Sequence, residues 1–90
     1  MPRVYLPALL RPLVGGASSV EVTGATLRAV IQDLDRRFPG VGDRVIETGA
    51  VRPDVLVAIN ADETRDLDAP VPADGEVHIL PAIAGGAGGG

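Results

Sequence analysis

The sequence predicts an α+β fold in which a mixed sheet packs against one main helix. Three observations carry this reading. Short alternating apolar stretches at both ends of the chain mark strands, Val4 and Leu6 near the start and Val77 and Ile79 near the finish. Between them, Leu27, Val30, Ile31, Leu34 and Phe38 fall on one stripe at helical period. The order that results is strand, strand, helix, strand, short strand, strand, which folds as a single helix laid on one sheet face.

Taken in order, Arg3 to Leu10 reads as a strand with Val4 and Leu6 on one face and Tyr5 on the other. Pro7 lacks a ladder donor and belongs at an edge or a bulge. Arg11 to Gly16 is a turn whose paired glycines tolerate positive φ, and Ser18 to Val22 returns as the second strand of a hairpin. Thr26 suits a helix N-cap because its hydroxyl can accept from an unpaired first-turn N–H, and Pro39-Gly40 stops the helix. Val41 to Pro53 is a long connection in which Val45 and Ile46 form a short helical plug. Asp54 to Asn60 is a third strand, Asn60 to Glu63 a turn, and Thr64 to Leu67 a short strand or irregular edge. Asp68 to Gly75 is a proline-punctuated loop, and Glu76 to Pro81 is the last strand, returning to pair with the first. Residues 1–83 form the domain and residues 84–90 a glycine-rich tail.

Composition narrows the function classes. Ninety residues make one small domain, and with one Phe, one Tyr and no Trp its core is aliphatic. The absence of cysteine removes disulfides, thiolate metal sites and thiol nucleophiles. The absence of lysine removes Schiff-base chemistry. A formal net charge of −4 opposes nucleic-acid binding, which needs a basic surface. No apolar run approaches the roughly 20 residues of a membrane span, and Met1 to Tyr5 opens no signal-peptide core, so the expectation is a cytoplasmic protein.

No catalytic constellation stands out. His78 is the only histidine and points away from the core on the last strand, where a solvated surface role is the expectation. Asp33 and Asp35 are read as a solvated helix face. Asp62, Glu63, Asp66 and Asp68 are read as solvated charges protecting a turn and a sheet edge. Tyr5, His78 and Leu80 share the sheet face opposite the helix once first and last strands are neighbours, and a partner can anchor there.

The last six residues, Gly85-Gly86-Ala87-Gly88-Gly89-Gly90, hold five glycines and one alanine. Glycine loses the most backbone entropy on ordering, so this stretch is expected to be a flexible thread behind a rigid apolar strand. Such a thread can enter a narrow tunnel and present a terminal carboxylate to chemistry inside another protein.

Leu10-Arg11-Pro12 with Gly15-Gly16, Thr26-Leu27 with Val30-Ile31 and Leu34, and Ile79-Leu80-Pro81-Ala82-Ile83-Ala84-Gly85-Gly86 together resemble the ubiquitin-like β-grasp sulfur carriers. The likeness runs from about Val4 to Gly86 and is strongest to the thiocarboxylate carrier of cysteine biosynthesis. The small subunit of molybdopterin synthase and the thiamine-pathway carrier are related. The resemblance implies a protein co-substrate that binds no cofactor and is not itself an enzyme. An adenylating, E1-like activating enzyme would use ATP on the terminal glycine carboxylate, and a sulfur donor would displace AMP to leave a thiocarboxylate. In the cysteine route the thiocarboxylate would then meet an acceptor on a pyridoxal phosphate-dependent cysteine synthase. Gly85, Gly86, Gly88 and Gly89 would thread the partner's channel. In these carriers Gly-Gly usually ends the chain, whereas here Ala87 to Gly90 follow and add roughly 13 Å of extended reach. Either a zinc metalloprotease trims the chain to Gly86, or Gly90 carries the working carboxylate. A molybdopterin synthase small subunit and a ubiquitin-like modifier are the alternative readings.

Overall fold

In the computed structural model, which describes residues 1–82, a five-stranded sheet wraps one face of the main helix. The sheet elements are β1 (Arg3–Tyr5), β2 (Ser19–Glu21), β5 (Val55–Ile59), β6 (Asp62–Glu63) and β7 (Glu76–Pro81), in the order β2-β1-β7-β5-β6. The first and last strands are central neighbours and run parallel, with Val4 opposite Val77 and Tyr5 opposite His78. The hairpin β1–β2 and the pairs β7–β5 and β5–β6 are antiparallel. This is the expected β-grasp arrangement.

The main helix, α1 (Leu27–Arg37), forms because its stripe of Leu27, Val30, Ile31 and Leu34 is completely buried against the sheet. Its first-turn donors on Leu27, Arg28 and Ala29 find partners outside the helical ladder, which begins with Val30. Thr26 Oγ1 accepts from Ala29 N at 3.2 Å as expected, and the carbonyls of Ala69, Leu67 and Thr26 accept from Leu27, Arg28 and Val30 N. The loop before β7 is thereby pinned across the helix start, and Arg28 pairs with Asp68 at 3.3 Å. Val4, Val22, Val57, Val77 and Ile79 complete the core from the sheet side.

Four local expectations are corrected. The first strand ends at Tyr5, and Ala8–Val14 is a 3₁₀ helix that buries Leu10 and Val14. Pro7 at its start and Pro12 inside it fix φ and withhold ladder donors, so an extended path to Leu10 is not sustained. The turn that follows does use positive φ at Gly15 and Gly16. The connection from Val41 holds α2 (Val41–Val45) and a small ribbon of β3 (Ile46–Glu47) and β4 (Ala50–Val51). Val45 is buried as a plug, but Ile46 already belongs to the ribbon. The expected turn over Asn60 to Glu63 is shorter: Asn60 takes positive φ and closes a tight two-residue turn, Asp62–Glu63 is the short edge strand, and Thr64 to Leu67 is the irregular alternative.

The fourth correction concerns the acidic helix face. Asp33 is buried, at 6 % exposure, and Asp35 turns back to bind backbone. Asp33 accepts from Thr23 N at 2.9 Å and is bracketed by Arg36 and Arg37, the latter at 2.8 Å. Its carboxyl is held down at about 2, first by the Thr23 N–H, against the opposing effect of burial, and further by the Arg37 and Arg36 guanidiniums. Asp35 accepts from Gly40 N at 3.1 Å and Gly42 N at 2.9 Å, satisfying donors at the start of α2. Both carboxylates are structural clasps that tie a loop to α1. Among the described residues no helix is long and apolar enough to cross a membrane.

Candidate functional site

The sheet face turned away from α1 is built by strand alternation. In β7, Val77 and Ile79 point into the core, so Glu76, His78 and Leu80 point outward. Register then sets their company: Tyr5 lies opposite His78 on β1, while Leu56 and Ala58 lie opposite Leu80 and His78 on β5. The Tyr5 and His78 rings stack with centroids 4.6 Å apart and planes 7° from parallel. His78 Nε2 also approaches Glu76 Oε1 at 3.1 Å. His78 faces outward as the sequence implies, yet it is half-buried under the tyrosine rather than freely solvated.

The three residues expected to anchor a partner are thus brought together on one surface, with Leu80 47 % exposed at its edge. Leu56 and Ala58, which the sequence reading did not single out, extend the apolar surface. Alternation around Val55, Val57 and Ile59 placed them outward; only the β5–β7 register placed them beside Leu80 and His78. Charged residues border the strip where β1 and β7 begin and β2 ends, with Arg3 bonded to Glu21 at 3.0 Å and to Ser19 Oγ at 3.2 Å.

The end of β7 is tied to β5 and to the residue that precedes β5. Pro81 pairs with Val55, and Ala82 N donates to the Asp54 carbonyl at 2.9 Å. A groove of about 560 Å³ opens beside this point, floored by Leu10, Val55 and Ile79 and rimmed by Leu9, Arg44 and Leu80. Gly85, Gly86, Gly88, Gly89 and Gly90, and the boundary between residues 83 and 84, lie outside the described residues.

The described residues contain no group of three or more His, Asp or Glu side chains arranged to hold a metal. Buried side-chain polar atoms among them all have partners. Asp54, whose carboxyl is lowered by its bond to Arg52 at 3.1 Å, is part of an exposed ion pair near the exit. This geometry presents an apolar strip on the outer sheet face and ties Ala82, the last described residue, to the β4–β5 connection.

Comparison with known proteins places the arrangement. The chain is similar to sulfur carrier protein CysO of Mycobacterium tuberculosis, 39% identical over 89 residues that cover 92% of this chain and 96% of the relative. It is also 38% identical to small archaeal modifier protein 3 of Haloferax volcanii over 65 residues, covering 69% of this chain and 71% of the relative. Among solved structures, a chain of the Amycolatopsis orientalis BexX/CysO complex superposes with a TM-score of 0.89 at 32% identity, covering 94% of this chain and 99% of that one. The ThiS family profile matches residues 4–86, from the first buried residue of β1 through the strand that ends at the exit and on to Gly86. The chain belongs to the ThiS family.

Proposed function

We propose that this protein is a sulfur carrier of the CysO type, acting as a protein co-substrate in cysteine biosynthesis. The observation that carries the reading is the end of β7: a central strand held between β1 and β5 ends at Pro81, and Ala82 is bonded to the Asp54 carbonyl immediately before the Ile83-Ala84-Gly85-Gly86 sequence reached by the family match. In the first step the terminal glycine carboxylate attacks the α-phosphorus of ATP on an activating enzyme, releasing pyrophosphate and forming an acyl adenylate. In the second, hydrosulfide attacks the acyl carbon, AMP leaves, and a proton is lost, leaving the thiocarboxylate. The fold contributes position alone, docking Tyr5, His78 and Leu80 on the partner while the glycine stretch passes into its channel without side-chain clashes. The acceptor is a pyridoxal phosphate-dependent cysteine synthase, on which the thiocarboxylate sulfur is the nucleophile.

The family match ends at Gly86, which supports Gly86 as the working terminus after a zinc metalloprotease removes Ala87 to Gly90. The test is intact mass after incubation with ATP, the activating enzyme and sulfide. A gain of about 16 Da, oxygen replaced by sulfur, on a chain ending at Gly86 or Gly90 is expected. An unchanged mass with an enzyme preparation that converts a known carrier refutes the proposal. The similarity to small archaeal modifier protein 3 supports a second reading, conjugation to lysines of other proteins. Isopeptide adducts recovered after incubation in lysate would favour that reading. A large synthase subunit captured in place of a cysteine synthase would favour the molybdopterin role.

A further inference from the structure

The exit at Ala82 rests on a segment with an unusual support. Arg65, in the loop after β6, directs its guanidinium at three backbone carbonyls of the stretch linking β4 to β5. Nη1 donates to Val55 O at 3.3 Å, and Nη2 donates to Val51 O at 2.5 Å and Arg52 O at 3.3 Å. That stretch presents the Asp54 carbonyl to Ala82 N at 2.9 Å and pairs Val55 with Pro81. Arg65 and Ala82 line the same small groove, about 320 Å³ in volume, beside Glu63 and Thr64. One fork of charged donors therefore clamps the loop on which the last described residue is hung. A guanidinium suits this because its planar donors are pre-organised to reach several acceptors at once.

We propose that Arg65 is a positioning residue for transfer of the C-terminal segment, setting the direction in which the chain leaves the sheet. Its kinetic consequence rests on the sulfur-carrier reading above. Gly86 lies only four residues beyond Ala82, a covalent reach of at most roughly 13 Å. A displacement of a few ångströms at residue 82 is then a large fraction of the whole reach. Because misplacement near 1 Å can cost up to about a hundredfold in rate, loss of the clamp acts on the bound complex rather than on docking. Docking is assigned to Tyr5, His78 and Leu80, and the Arg65 guanidinium bonds the carbonyls of Val51, Arg52 and Val55 instead, beside Leu56 at the margin of that face.

Two measurements test this on the full chain. In Arg65→Ala, amide exchange at Ala82 is expected to rise at least about tenfold while Val77 and Ile79 stay within about threefold of the parent. In the adenylation assay, kcat is expected to fall about fivefold or more with KM for the carrier within about twofold, and Arg65→Lys, a point donor without the fork, to recover only part of the loss. Unchanged exchange at Ala82 overturns the clamp. Faster exchange with unchanged kcat overturns the positioning role, and a rise in KM alone assigns Arg65 to docking and overturns it as well. If the parent protein is not adenylated at all, the sulfur-carrier reading fails, and the exchange experiment still decides whether Arg65 holds the exit.

Discussion

Replacing Leu80 with alanine is expected to weaken docking of the activating enzyme about 3- to 10-fold. The magnitude follows from exposure. Burying a leucine side chain completely contributes about 1.5–3 kcal/mol, and 47 % of Leu80 is still open to be covered by a partner. Roughly half of that range, about 0.7–1.4 kcal/mol, is thus available on binding, and each 1.4 kcal/mol is about tenfold in Kd. The folded state loses less than it would at a core leucine, since Leu80 alternates outward from Val77 and Ile79 and is only half covered in the fold. Titrating a fluorescently labelled enzyme with the parent and the Leu80→Ala carrier reads Kd directly, while thermal unfolding of both proteins checks that the fold is intact. A Kd within about 1.5-fold of the parent, with an unchanged melting profile, refutes the assignment of this face to docking.

Two further perturbations probe the scaffold. Asp33 has a folded pKa near 2 against 3.8 for the free side chain, so the stability it contributes is present above about pH 4 and lost as pH falls through about 2. Asp33→Asn should therefore flatten the acid limb of the stability curve between those values; an acid limb identical to the parent's would show that Asp33 is not the group responsible. Gly24 sits at φ 148°, and a Cβ there would stand 2.6 Å from Val30 N and 2.8 Å from Ala29 C, both backbone atoms that cannot step aside. Gly24→Ala should cost about 1–3 kcal/mol, seen as a drop of about 4–8 °C in Tm for each kcal/mol, and an unchanged Tm would contradict the close approach.

Much of this molecule was legible in the order of its residues. The apolar stripe of α1, its Thr26 cap, the alternation of β5 and β7 and the aliphatic core all follow from side-chain periodicity, which is a local property. The same alternation put Tyr5, His78 and Leu80 on an outward face, and the glycine stretch behind Pro81 marked the candidate site of chemistry before any fold was known. Strand ends were less legible, because Pro7 and Pro12 redirect the chain into a 3₁₀ helix that still buries Leu10. Tertiary structure alone decided the parallel β1–β7 register that stacks Tyr5 on His78, and the placement of Leu56 beside Leu80. It also turned Asp33 from a surface charge into a buried clasp and aimed Arg65 at the carbonyls beneath the exit. Those contacts join residues 10 to 73 positions apart in sequence. Periodicity along a strand or helix says which way a side chain faces, but only the folded register says what it meets there.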